Sequence, residues 1–158
     1  MQNITLTVVK ADVYEEIAKT TSYVGAKKIG NDADSYERIF TTDEDRQMLE
    51  RFWHEACNAV TTQMRDFLSD VSQLGDSFFT DIDANYELEL NMSDRFDTKL
   101  TNSLEKELFT FFVCFILSQW YSMTNIEDAE GQAKKAEGVI KNVMDKIYHL
   151  KPPVYQQS

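Results

Sequence analysis

The sequence predicts a mainly α protein: a four-helix bundle around a buried central helix, with a small β-hairpin or strand excursion. Three observations lead there. The stretch Leu104–Met123 (LEKELFTFFVCFILSQWYSM) is apolar nearly all round, with only Thr110 interrupting the run from Leu108 to Leu117. Two further stretches repeat apolar residues at helical spacing over long distances. One short stretch, Tyr86–Met92, alternates apolar and polar residues as a strand does. Five glycines and only two prolines suit a helical chain.

The central stretch decides the architecture. Phe109, Val113, Ile116 and Trp120 mark one side, and Leu108, Phe112 and Phe115 the adjoining one. The third side carries Ser103, Glu107, Thr110, Cys114 and Ser118. A helix with no wet face is a core helix or a membrane span. A span needs about twenty apolar residues, about twice this run. It is therefore read as a buried helix whose small third side admits a neighbour's backbone. Each large apolar side chain buried there contributes about 1.5–3 kcal/mol.

The remaining elements follow in order. Ile4, Leu6 and Val8 alternate with Thr5 and Thr7, which predicts a short strand or extended arm. Asp12 with Glu15 three residues on opens a helix over 12–24. Residues 25–42 read as loop, anchored irregularly through Tyr36, Ile39 and Phe40. Thr42, followed by Asp43, Glu44 and Asp45, opens a second helix over 42–71. Its stripe is Leu49, Trp53, Ala56, Val60, Gln63 and Phe67. Phe78, Phe79 and Ile82 precede Asp83-Ala84-Asn85, where a hairpin would turn into the strand Tyr86, Leu88, Leu90 and Met92. An isolated hairpin is marginal, so its apolar side must pack on helices or pair with the N-terminal strand. The central helix covers 102–123. Asn125 separates it from a last helix over 126–150, with the seam Ile126, Ala129, Ala133, Ala136, Ile140, Val143, Ile147 and Leu150. Lys151-Pro152-Pro153 stops that helix. Residues 154–158 form a short free arm. With 158 residues, one domain over 1–158 is expected.

Composition narrows the function. The net charge is -11, and the longest basic groups are the pairs Lys27-Lys28 and Lys134-Lys135. Binding nucleic acid needs basic clusters that release counterions, so stable binding by the isolated chain is not expected. Cys57 and Cys114 are far apart and sit in apolar helical patterns, which predicts buried thiols rather than a disulfide or metal site. The N-terminus has no signal-peptide pattern, and a cytoplasmic protein is expected.

No catalytic, metal-ligating or cofactor-binding set emerges. His54-Glu55 starts like the zinc motif H-E-x-x-H, but its fifth position is Asn58. Asp81, Asp83 and Asn85 open like a calcium loop. Tyr86 replaces its turn glycine, and Met92 stands where the bidentate glutamate belongs. Nucleotide-binding and hydrolase signatures are absent. The sequence predicts no enzyme, no cofactor and no small-molecule substrate. The residues least accounted for by helical seams are Phe78, Phe79, Tyr86, Leu88 and Leu90 around the strand, read as core first and as a partner surface second, and Val154 and Tyr155 in the arm; as a contact surface these are the candidates. Strand edges bind other chains by strand addition.

The order of elements then permits a comparison. DVYEEIA opens one helix and TTDEDRQMLERFWHEACNAVTTQM the next. The strand NYELELNM follows, then the aromatic helix FFVCFILSQWYSM and a last helix ending DKIYHLKPP. This layout resembles the small head–tail connector proteins, the neck or adaptor proteins, of tailed phages and prophages. The resemblance implies a helical bundle with a β excursion and a ring beneath the portal. It further implies self-association, contact with neighbouring virion proteins and no catalytic residues. An acidic channel lining suits DNA that must slide past. A cytoplasmic acidic adaptor that binds one protein partner fits the same composition.

Overall fold

The first strand, β1 (Gln2–Val8), buries Ile4, Leu6 and Val8 and exposes Asn3 and Thr5, as its alternation requires. The computed structural model describes residues 1–28, 35–70 and 85–153. After β1 come α1 (Lys10–Lys28), the short α2 (Ser35–Ile39), α3 (Arg46–Gln63), β2 (Tyr86–Met92), α4 (Thr101–Thr124) and α5 (Ile126–Tyr148). The described chain is thus mainly helical, with five α-helices and one small antiparallel sheet.

The sheet joins the start of the chain to its middle. β1 pairs with β2 in the register Ile4↔Leu90, Leu6↔Leu88 and Val8↔Tyr86. Every inward position of both strands is a buried apolar residue apart from Gln2. The Gln2 amide instead donates to the carbonyls of Ser93, at 2.9 Å, and Phe96, at 2.8 Å. Pairing with the N-terminal strand, rather than a local hairpin, is what the described residues show. The turn expected near Asp83 and the run Phe78–Ile82 lie outside them.

Helix α4 packs against β1 and against each of the other four helices. Leu104, Leu108, Phe112 and Ile116, one turn apart, are all fully buried. The ring of Phe112 lies 4.7 Å from that of Trp53 on α3 and 5.3 Å from that of Tyr86 on β2. One residue therefore joins the sheet and two helices. The small side of α4 receives α5 after the turn at Asn125. Lys146, near the end of α5, reaches Glu107 at 3.1 Å and Ser103 at 2.6 Å near the start of α4, so the two helices run antiparallel.

Three expectations need correction. The second helix does not run to Val71. It ends at Gln63, turns through a 3-10 segment at Arg65–Phe67, and places Leu68 in a β-bridge with Leu90. The Ser69 N–H donates to the Glu89 carbonyl at 3.2 Å. Here the free groups on the outer side of β2 compete successfully with another helical turn, and Phe67 is drawn onto Tyr148 at 5.2 Å. The same helix begins later than Thr42. A 3-10 turn over Asp43–Asp45 comes first, held by the Asp45 carboxylate accepting from the Thr42 N–H at 2.8 Å. Ile126 is no seam residue: it is the first residue of α5 and is 78% exposed.

Helix α2 is a fifth helix where loop was expected. Its five residues are too few to show a period. Tertiary contacts hold it instead. The Trp120 indole donates to the Ile39 carbonyl at 2.6 Å, and Arg38 Nε to the Thr124 carbonyl at 2.9 Å. A Cβ on Gly25 would stand 3.1 Å from the Tyr36 backbone, so the absence of a side chain lets α1 and α2 approach.

Replacing Phe112 with Ala is expected to cost about 3–5 kcal/mol, from lost burial plus the cavity left among Trp53, Tyr86 and α4. Urea unfolding measures it. A loss below about 1 kcal/mol would contradict the central position of this ring.

Candidate functional site

The structure separates the expected contact residues into two groups. Tyr86, Leu88 and Leu90 are 1%, 0% and 0% exposed. Their side chains belong to the core, because the β1–β2 pairing turns that face toward α4. Another chain meeting this region must use different atoms. Phe78, Phe79, Val154 and Tyr155 lie outside the described residues, as do Asp81 and Asp83. Asn85 is described, and its side-chain oxygen accepts the Lys10 N–H at 3.0 Å.

The atoms that do face outward near the sheet are backbone groups of β1. The Thr7 N–H points away from β2 and meets the Glu105 carboxylate of α4 at 3.4 Å. In an antiparallel pair, alternate residues turn their N–H and C=O to the same side. Asn3 and Thr5 therefore present theirs on that outer side too, and no hydrogen bond to them forms among the described residues. A groove of about 420 Å³ lies beside the Thr7–Val9 end of this edge, lined by Thr7, Val9, Asp12, Asn102, Glu105 and Phe109 among others. Phe109 and Thr110 also line an adjoining depression of about 220 Å³ between α1 and α5. The opposite edge of the sheet differs, since Leu68 and Ser69 lie along β2.

A second feature is a buried charge cluster. Lys10, first residue of α1, is 4% exposed. Its ammonium lies 2.5 Å from Glu50 Oε2 on α3 and 5.7 Å from the ring centres of both Tyr14 and Trp53. Arg46 Nε stands 3.9 Å from Glu50 Oε1, and His54 Nε2 stands 4.0 Å from Oε2. The Lys10 N–H on Asn85 ties the same residue to the start of β2. Sequence reading passed over this pair. The available signal was parity: Lys10 continues the inward series Ile4, Leu6, Val8. Glu50, for its part, sits between the core residues Leu49 and Phe52.

The chemistry of the cluster is restrained. Burial pushes the Tyr14 phenol far above its usual range, and the charge of Glu50 adds to that. Burial likewise raises the Cys57 thiol, opposed by Lys10. A thiolate, not a thiol, is the nucleophile, so Cys57 is inert at neutral pH. Cys114 is also free and buried, and burial raises its thiol as well. Beside the cluster, Tyr14, Thr41, Thr42, Asp43, Arg46 and neighbouring residues line a groove of about 380 Å³. Among the described residues Glu50 Oε1 is buried without a hydrogen-bond partner, and the Tyr14 phenol is buried beside Glu50. The arrangement works as a clasp between α1, α3 and the sheet.

Among the described residues no three His, Cys, Asp or Glu side chains are grouped to hold a metal, and no helix is long and apolar enough to cross a membrane. No protein-family model, curated protein or solved structure matches the chain.

Removing one partner of a buried pair leaves the other charge uncompensated. Lys10→Met or Glu50→Leu alone is expected to cost about 3–5 kcal/mol, and the double variant Lys10→Met/Glu50→Leu to recover much of it. A double-mutant cycle by urea unfolding decides it. Strictly additive losses would mean the pair is uncoupled.

Alkaline pH tests the buried phenols. Tyr121 is pushed up to about 12, first by burial and then by Asp128, from an ordinary value of 10.0. Tyr14 and Tyr86 are raised further, chiefly by burial. Above the ordinary value the unfolded chain loses phenolic protons that the folded chain keeps, so stability falls as pH rises. The melting temperature is expected to be insensitive to these groups below pH 10.0 and to drop between 10.0 and about 12. Phenolate absorbance should then appear together with unfolding. Ionisation of every tyrosine before unfolding would contradict this.

Proposed function

We propose that the chain is a non-enzymatic structural subunit of a virion, of the head–tail connector type, which self-associates as a ring and contacts neighbouring virion proteins. It is made in the host cytoplasm and incorporated into the particle. The observation that carries contact with neighbouring virion proteins is the open outer edge of β1. Backbone donors and acceptors spaced along a strand, with a groove beside its Thr7–Val9 end, suit an extended polypeptide. The layout resemblance adds the connector assignment, with a four-helix bundle centred on α4 as the body of the subunit. The exposed side of α5, away from α4, is a separate surface, the one a neighbouring copy can use to close the ring.

A second reading, a cytoplasmic acidic adaptor for one protein partner, draws on the carboxylates of Asp12, Glu87 and Glu105 gathered near the same edge. The two readings differ in copy number. A connector forms rings when expressed with its portal and tail partners; an adaptor binds one-to-one.

Thr5→Pro separates folding from assembly. The Thr5 N–H points outward, so proline removes no bond of the β1–β2 ladder, and proline is tolerated on edge strands. The variant is expected to melt within a few degrees of the parent while its incorporation into particles falls by about ten-fold or more, which corresponds to about 1.4 kcal/mol of lost contact. Electron microscopy of the parent with portal and tail proteins tests the ring. A parent chain that stays monomeric in their presence overturns the connector reading.

A further inference from the structure

The open edge also says what kind of segment it receives. We propose that β1 takes an extended, basic segment of a different protein as a third strand of the sheet. This rests on the reading that the chain works by taking up a neighbour's polypeptide.

Geometry sets the form of the occupant. The outward groups run from Asn3 to Thr7, and a strand rises about 3.3 Å per residue, so a partner of five to seven residues spans the edge. A strand added there alternates its side chains. One set falls over the groove, where Val9 and Phe109 offer apolar contact. The other set continues the solvent face of the sheet, whose nearest rows are Thr5 opposite Glu89 and Thr7 opposite Glu87.

Charge sets its chemistry. Asp12, Glu87 and Glu105 surround the edge, and none of them has an ion-pair partner among the described residues. Among the described residues that line the groove, Lys106 is the one base. The Glu105 carboxylate occupies the Thr7 N–H at the long distance of 3.4 Å. An arriving backbone carbonyl takes over that N–H and releases Glu105 to pair with a lysine or arginine on the new strand. Such pairing steers encounter and selects against acidic segments.

The same argument turns away a second copy. The net charge of each chain is -11, and its longest basic groups, Lys27-Lys28 and Lys134-Lys135, lie within α1 and α5 rather than in extended segments. The strand comes from a partner of opposite charge.

The test uses the full chain and the peptide acetyl-TKVKVKT-amide as the probe, with acetyl-TEVEVET-amide and a backbone N-methylated basic peptide as controls. Calorimetry measures affinity, and amide shifts locate the site. The basic peptide is expected to bind with shifts at Asn3, Thr5 and Thr7, more weakly as salt rises. Both controls should bind at least about ten-fold more weakly, as should the basic peptide on Thr5→Pro. Glu105→Gln, which keeps the side-chain shape, should weaken it several-fold with the melting temperature unchanged. The inference is overturned by no binding at millimolar peptide, by equal affinity for the acidic peptide, or by unchanged affinity in both variants. A chain that enters particles yet ignores the basic peptide defeats this inference and leaves the assembly reading standing. A chain that binds the peptide but never enters particles does the reverse.

Discussion

Helix α4 is apolar over most of its circumference from Leu108 to Tyr121, and enclosing that stretch organises everything else. A helical stretch so apolar must be enclosed. The chain encloses it by laying α1, α2, α3, α5 and β1 against it. Phe112 shows how tightly the parts depend on one another, since its ring touches aromatic residues from α3 and β2 at once. The sheet is small because its task is small: two strands close one flank of α4 with Leu6, Leu88 and Leu90.

A cover made of separate elements needs ties, and these are polar. Lys10 and Glu50 hold the start of α1 to α3, and Asn85 brings in the start of β2. Trp120 and Arg38 hold α2 to the end of α4. The Lys151 N–H donates to the Arg95 carbonyl at 2.8 Å and Arg95 Nε to the Lys151 carbonyl at 2.9 Å, fastening the segment after α5 beside the one after β2. Each tie satisfies groups that would be costly to bury alone. Apolar burial drives the assembly of the elements, while these bonds select one arrangement among many that bury similar area.

Most of this was legible in residue patterns, for identifiable reasons. α4 and α5 announced themselves because long periodic runs leave little freedom, and β1 and β2 because alternation is strict in both. What escaped was decided between elements rather than within them. Leu68 left the helical course because β2 had unpaired backbone groups to offer. α2 is too short for any period, and its support comes from α4, 81 residues away in the Trp120–Ile39 bond. Lys10 falls between the strand and the helix that the patterns mark, although its parity put it on the buried face. The candidate site divided likewise. Side chains flagged on β2 proved to be core, since alternation cannot say whether an apolar face meets the same chain or another. The open edge of β1 is a property of which strand pairs with which, and no single stretch carries it.

The pairing of β1 with β2 has a consequence in time. Residue Leu6 meets Leu88, and neither strand has another described partner of comparable extent. Contacts so distant in sequence close slowly, because the intervening loop must lose its freedom before any of them is rewarded. On the ribosome the first strand emerges long before its mate, and before the aromatic helix that both strands cover. During that interval Ile4, Leu6 and Val8 have nothing of their own chain to rest against. Completion of the fold is thus a late event, triggered when α4 is released from the exit tunnel. A cell making many copies has reason to keep nascent chains apart until then.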